Sequence, residues 1–428
     1  MYPNLYYFFK DAFGVEWEWS RFINSFGFFV AIAFFAAAYV LTSDLKRKEK
    51  KGLLKPLEEK QIFGQPAKPW EIALNAVLGF LFGYKIIGAF LKANDGINPQ
   101  EFIFSSDGNF GAGLLLALLF GWLKWYEKNK TKMAKPEERI IRIWPHERVG
   151  DMTMLAAFFG FLGAKLFHNF ENWSDFKADP IGSLLAFSGL TFYGGLICAA
   201  AAIIYYARKK KISVRHLADA FGPALILAYA IGRIGCQVSG DGDWGIPNSA
   251  YVADSTGTVR LAQPGEFSQS VKASSQYLLG EFGTNDPVKV PNASIKAPGF
   301  LPEWMVAYTY PHNVNSVGVK IAGCEGEEHC SYLPLPVFPT PFYETIAGLI
   351  IFLILILLRK RIKPAGALFG VYLFFNGLER FFVEKIRVNT KYEDLPFQPT
   401  QAELISLGLM IIGIFILRYA YKSKKTEA

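Results

Sequence analysis

The chain has 428 residues, 51% of them hydrophobic and 16% aromatic, with a formal net charge of +8. Its apolar residues gather into long blocks, which excludes a soluble globular or disordered chain and points to a bilayer. Lys and Arg sit in short runs beside those blocks, as topology determinants do, and no separate basic fold remains to bind nucleic acid. The stretch Met1 to Tyr7 lacks the basic region, short apolar core and small-residue cleavage site of a secretory signal, so the first block is expected to be a retained helix. Nine apolar spans follow in order: Asn24–Thr42, Ile72–Leu91, Gly111–Trp125, Met152–Phe170, Leu184–Tyr206, Leu217–Val238, Phe342–Leu358, Gly366–Val383 and Leu404–Ala420. Most approach the roughly 20 residues that a spanning helix needs, the third and seventh being short.

The loops between spans alternate in charge. Lys46 to Lys48, Lys124 to Arg148, Arg208 to Lys211, Arg359 to Lys363 and Lys422 to Lys425 are basic, which places them in the cytoplasm by the positive-inside rule. The N-terminus, the loop near Asp95, the loop with Glu171 and Asp175, and the segment Ser239 to Pro341 then face the other side. That last segment carries five Lys/Arg against ten Asp/Glu. Its Gly, Pro, Ser and Asn content, broken by stretches such as Ala250 to Val252 and Trp304 to Tyr310, predicts a small strand-and-loop extracytoplasmic cap. Cys324 and Cys330 share this segment and can pair if it meets an oxidising compartment, whereas Cys198 and Cys236 lie in or at the end of apolar blocks. The expected fold is an all-α polytopic membrane protein of about nine transmembrane helices. Its parts are a first helix with an extracytoplasmic N-terminus (1–43), a basic cytoplasmic loop (44–71), an added helical pair with a second basic loop (72–150), core helices (151–238), the cap (239–341), and C-terminal helices with a cytoplasmic tail (342–428).

Ionisable groups within a span are costly and usually face a polar cavity, so they mark function. The first cluster, Arg233 to Gly245, joins Arg233, at the end of the sixth span, to Asp241 and Asp243 through a glycine-rich loop that can turn sharply. A snorkelling Arg beside turn-capping aspartates is the structural alternative. The second lies in the eighth span, where Asn376, Arg380 and Glu384 recur every four residues on one helix face, with Arg387 further along. Glu384 can hold one or both guanidiniums, and two arginines can neutralise a phosphodiester; an interfacial ion-pair ladder is the alternative. The third is Tyr193-Gly194-Gly195 in the fifth span, where the glycines open space beside a hydroxyl or simply pack helices. Gly79 to Lys85 also resembles Gly160 to Lys165, each placing a Lys within an apolar span, by coincidence or by duplication of a helical pair.

These elements together resemble the prolipoprotein diacylglyceryl transferase family. Gly232-Arg233-Ile234-Gly235 through Asp241 to Trp244-Gly245 is similar to that family's signature loop. Pro339-Thr340-Pro341-Phe342-Tyr343-Glu344 then follows like its Pro-Thr/Ser-x-x-Tyr-Glu element, and Arg380, Glu384 and Arg387 like its Arg-x-x-x-Glu-x-x-Arg element. Phe26-Gly27 and Tyr193-Gly194-Gly195 stand in the places of its Tyr-Gly and His-Gly-Gly. The similarity covers the first span and then about Met152 onward, apart from most of 242–337. The departures are an extra helical pair on a usually seven-helix core, a longer cap, Cys236 where Asn is common, a doubled acid at Asp241 and Asp243, and Tyr193 in place of the histidine. The resemblance implies a bacterial inner-membrane transferase that moves the diacylglyceryl group of phosphatidylglycerol to the lipobox cysteine of prolipoprotein signal peptides, with no metal or cofactor. It implies catalytic roles for Arg233, Arg380, Asp241, Glu384 and Tyr193, and substrate contacts for Arg387, Gly194, Gly195, Asp243, Gly245 and Lys165. An unperturbed Tyr is mostly protonated at neutral pH, so the aspartates rank first as proton acceptor. A non-catalytic lipid- or lipoprotein-binding relative and a membrane transporter are the rival readings.

Overall fold

The computed structural model describes residues 1–92, 102–103, 105–185, 191–284, 286–324, 328–389, 391–392 and 395–426. The loop near Asp95 and part of the predicted fifth span lie outside them. The principal helices in chain order are α1 (Leu5–Phe13), α2 (Ser25–Lys50), α3 (Pro69–Leu81), α4 (Phe110–Lys130), α5 (Val149–Glu171), α6 (Phe192–Lys209), α7 (Val214–Ser239), α8 (Thr340–Leu358), α9 (Ala367–Glu384) and α10 (Gln401–Thr426). Among the described residues strands are few and pair only in twos: β1 (Leu57–Phe63) with β2 (Glu137–Ile143), β3 (Tyr251–Ala253) with β4 (Val259–Leu261), and β5 (Val319–Lys320) with β6 (Ser331–Tyr332). The chain is thus a helical, multi-pass membrane protein.

Among the described residues six helices are long and apolar enough to cross a membrane, at Ser25–Lys50, Pro69–Leu91, Pro145–Glu171, Val214–Ser239, Thr340–Leu358 and Gln401–Ser423. Length and apolarity alone identify these six of the nine predicted spans. The other three predicted spans contain α4, α6 and α9, which are helical but more polar at their ends. Lys128 and Lys130 end α4, Arg208 and Lys209 end α6, and α9 carries Glu379, Arg380 and Glu384.

The chain packs as two compact units, one of Met1–Val15, Ile23–Leu41 and Ala218–Ala428, the other of Glu16–Phe22 and Thr42–Leu217. In the second unit α3 and α4 form a hairpin whose base is closed by the antiparallel β1–β2 ribbon, Leu57 opposite Ile143 and Phe63 opposite Glu137. Glu59 on that ribbon pairs with Arg148 and Lys210, each at 2.8 Å, and so ties it to the start of α5 and the end of α6. Lys85, in a π-helical turn that continues α3, donates to the carbonyls of Phe102, Ser105 and Asp107. Those bonds satisfy an ammonium in an apolar stretch, so Lys85 serves structure. The two similar glycine-Lys segments do parallel jobs: Gly79 and Gly83 let α3 approach α4, and Gly163 lets α5 approach α6.

The first unit holds α7 from Ala218 onward with α8, α9 and α10, and Ile226, Ile351, Leu355 and Leu368 are buried between α7, α8 and α9. A Cβ at Gly377 would stand 2.6 Å from the Ser406 carbonyl, so only glycine lets α9 and α10 approach this closely. The buried Asp219 on α7 accepts hydrogen bonds from the backbone N–H groups of Gly366 (2.8 Å) and Phe369 (3.0 Å). A carboxylate there satisfies the orphan donors that open α9 and faces the positive end of its dipole. Asp219→Ala leaves two buried donors unpaired and is expected to cost roughly 1–3 kcal/mol, read as a lower unfolding midpoint in detergent.

The segment after α7 has its own core of Trp244, Tyr310, Leu333 and Val337. To the expected strands and loops it adds two short helices, Glu266–Ala273 and Ser275–Phe282, that enclose Val271 and Leu278. Cys324 and Cys330 are joined in a disulfide.

Candidate functional site

The site lies within the first unit, where the C-terminal end of α7, the N-terminal end of α8 and the C-terminal end of α9 come together. Each brings a charge that an apolar helix tolerates only when it is paired. The centre is Glu344, fully buried in the second turn of α8. Its Oε2 lies 3.0 Å from Nε of Arg233, and its Oε1 accepts from Nη1 of Arg380 at 3.0 Å and Nη1 of Arg387 at 3.4 Å. One carboxylate therefore gathers three guanidiniums from two helices and a loop.

Two further acids complete the set. Glu384 meets Nη2 of Arg380 at 3.1 Å across one turn of α9, the i to i+4 pairing that the sequence stripe predicts. Its other oxygen accepts from Asn389 (2.6 Å) and Thr400 (2.8 Å), which fix it. Glu384 holds Arg380 alone: α9 ends at Glu384, the chain turns away, and Arg387 falls off the helical stripe. Asp243 takes Arg387 instead, at 2.5 Å through Oδ1, and its Oδ2 is ion-paired with Nη1 of Arg233. Tyr229, one turn before Arg233, lies beneath that guanidinium with its ring centroid 5.3 Å away and donates its hydroxyl to Glu379 at 3.2 Å.

The glycine-rich loop reaches this cluster because its backbone is stitched down on both sides. Gly245 N–H donates to Phe338 O at 2.9 Å, Ile246 N–H donates to Ile386 O at 2.8 Å, and the Thr340 hydroxyl donates to the Asp243 carbonyl at 2.5 Å. A Cβ on Gly245 would stand 2.6 Å from Ile386 O. The glycine is thus needed for the close approach that sets Arg387 beside Asp243.

The two aspartates have opposite electrostatics. Burial pushes the Asp241 carboxyl above the ordinary range, the nearby charge of Asp243 adds to it, and Oδ1 of Asp241 is buried without a hydrogen-bond partner among the described residues. Burial would raise Asp243 too, but Arg233 and Arg387 outweigh it and hold the group at about 2. Of the pair, Asp241 is the better proton acceptor, and Asp243, clasped by two arginines, the poorer. Cys236 Sγ and the carboxylates of Asp241 and Asp243 lie within 4.8 Å of one another. A divalent cation there would sit against two guanidiniums and compete for both Asp243 oxygens, so the trio fits an acid pair beside a thiol better than a metal site. His312 lies near Cys324 and Cys330, but disulfide bonding removes both thiolates.

Arg233, Asp241, Asp243, Gly245, Arg380, Glu384 and Arg387 are thus all in one unit and around one cluster. Lys165, Tyr193, Gly194 and Gly195 belong to the other unit. There Gly194 and Gly195 are buried where α6 crosses α5, and a Cβ on Gly195 would lie 2.8 Å from Gly160 O. That is helix packing, one of the two roles open for these glycines. Lys165 is buried on α5, and Tyr193 is half-buried at the start of α6. Sequence reasoning placed Glu344 in a motif but gave it no role; Tyr229 and Glu379 it missed. The signal for Glu344 was a carboxylate about one turn into a strongly apolar helix, a charge within a span like the one that singled out Arg380.

The sequence model of the family described as prolipoprotein diacylglyceryl transferase matches residues 108–419. The match begins within the α3–α4 hairpin, earlier than the Met152 start read from the motifs. Three similar proteins each bear the name phosphatidylglycerol–prolipoprotein diacylglyceryl transferase. That of Dehalococcoides mccartyi is 22% identical over 333 residues, covering 77% of this chain and 96% of the relative. That of Buchnera aphidicola is 23% identical over 343 residues, covering 77% and 98%. That of Clostridium novyi is 26% identical over 282 residues, covering 65% and 82%.

Proposed function

Because the chain belongs to the prolipoprotein diacylglyceryl transferase family and is a transferase, we propose that it moves the diacylglyceryl group of phosphatidylglycerol to the lipobox cysteine of a prolipoprotein. The observation that carries this reading is the convergence of Arg233, Arg380 and Arg387 on Glu344. Fixed guanidiniums at the end of membrane helices suit one task well: gripping a phosphodiester and stabilising the charge its phosphate gains on departure. The alternating loop charges support a site facing the outer leaflet and an extracytoplasmic N-terminus, and the bacterial relatives support a bacterial inner-membrane location. On that topology the segment 239–341 is an extracytoplasmic cap, and 72–150 an added helical pair with its basic loop.

In the proposed reaction the cysteine S–H proton passes to the Asp241 carboxylate. The sulfur electron pair attacks the glyceryl carbon, the C–S bond forms, and the C–O bond to phosphate breaks with its electrons going to phosphate oxygen. Glycerol phosphate leaves with one more negative charge, held by Arg233 and Arg380, while Glu384 orients Arg380. Free Cys has a pKa near 8.5, so proton removal is the smaller demand and the leaving group the larger. Asp241→Asn is expected to slow transfer by about 10²–10⁴-fold, whereas Tyr193→Phe is expected to stay within a few-fold of wild type; the reverse pattern would move the base to Tyr193.

The test is reconstitution of the purified protein in phosphatidylglycerol vesicles with a synthetic lipobox peptide. Mass spectrometry should find the thioether-linked diacylglyceryl peptide and an equal amount of glycerol phosphate. Lipid binding without either product would instead support a non-catalytic lipid-binding relative.

A further inference from the structure

Three guanidiniums, Arg233, Arg380 and Arg387, face three carboxylates, Asp243, Glu344 and Glu384. The set has no positive charge to spare. A phosphodiester entering it brings one negative charge too many unless a carboxylate gives up its place. Glu344 cannot readily do so, being fully buried and shared by all three arginines. Nor can Glu384, whose side chain is fully buried and bonded to Asn389 and Thr400.

Asp243 is different. Its side chain is 32% exposed, and it follows Gly242, whose φ of +104° lets the loop bend in a way other residues rarely allow. Its two oxygens bridge Arg233 and Arg387, the arrangement that two non-bridging phosphate oxygens would adopt on the same pair. Nε of Arg387 is buried with no hydrogen-bond partner among the described residues. A carboxylate leaves that donor unused, but a tetrahedral phosphate offers further oxygens to meet it.

We infer that Asp243 is a built-in stand-in for the substrate phosphate, seated across Arg233 and Arg387 until a phosphodiester displaces it. The inference rests on the transferase reading above and adds a coupling to it. Once released, the Asp243 charge is no longer neutralised by two guanidiniums and stands beside Asp241. Like charges in a partly buried site favour protonation, so Asp241 becomes the stronger base when the lipid is seated. The thiol is then activated more strongly with the donor in place.

The experiment compares binding of dioctanoyl phosphatidylglycerol to the detergent-purified full chain by calorimetry, and transfer to a lipobox peptide, across three forms. Asp243→Asn removes the competing charge and is expected to bind the lipid about tenfold more tightly, with KM lowered and kcat lowered as well. Asp243→Glu keeps an acid on the same two arginines, so it also controls for folding, and should bind no more tightly than wild type. Equal or weaker binding by the Asn form, or tighter binding by the Glu form, overturns the exchange. If wild type transfers while either of those results is found, only the exchange fails. If wild type neither binds the lipid nor transfers, the transferase reading fails first.

Discussion

Replacing Glu344 with Ala is expected to give the largest loss of any single change, in stability and in transfer together. The side chain is fully buried and, among the described residues, is the one group in contact with Arg233, Arg380 and Arg387. Taking away one partner of a buried ionic set strands the others, at a cost of roughly 3–5 kcal/mol. Three guanidiniums left to repel one another lose both their pairing and their common aim. The unfolding midpoint in detergent should drop clearly below that of wild type, and transfer to a lipobox peptide should fall below detection. Glu344→Gln keeps the shape and one acceptor oxygen, so it should recover part of the stability and little of the transfer. A Glu344→Ala protein of wild-type midpoint would show that the arginines are held by something other than this carboxylate.

Arg233→Ala and Arg380→Ala are each expected to lower transfer by about 10²–10³-fold, the usual consequence of removing one fixed donor from a developing oxyanion. Both side chains come from helices whose positions are set elsewhere, by Asp219 under α9 and by Gly377 against α10. The loss should therefore appear in rate and lipid affinity more than in folding. Arg to Lys at either position should rescue little, because each arginine spans two acceptors at once: Asp243 and Glu344 for Arg233, Glu344 and Glu384 for Arg380. A direct check is lipidation of a reporter prolipoprotein in cells depleted of their own transferase. Full lipidation by both Ala variants would remove these residues from the site.

Parts of this cluster were legible in the sequence for simple physical reasons. The Arg380–Glu384 pair follows from helical periodicity, since residues four apart share a face. Arg233 stood out because an apolar span cannot carry a charge without a use for it. Arg387 was placed on the same stripe, but that placement assumed the helix continues past Glu384, and it does not. The short helices after Glu266 were missed because that stretch is polar and lacks a long apolar face.

Taken by itself, the sequence determined that the chain lives in a bilayer and which apolar blocks become helices. Hydrophobic length and loop charge are properties of contiguous residues, and the bilayer reads them one segment at a time. Only the tertiary structure decided what the charges do. Asp241 and Asp243 are two residues apart and chemically alike, yet one is left short of partners and pushed upward while the other is clasped by Arg233 and Arg387 and held at about 2. Glu344 became the centre for the same reason: its three partners lie more than 35 residues away along the chain. Electrostatic coupling depends on distance through space, which local sequence does not encode.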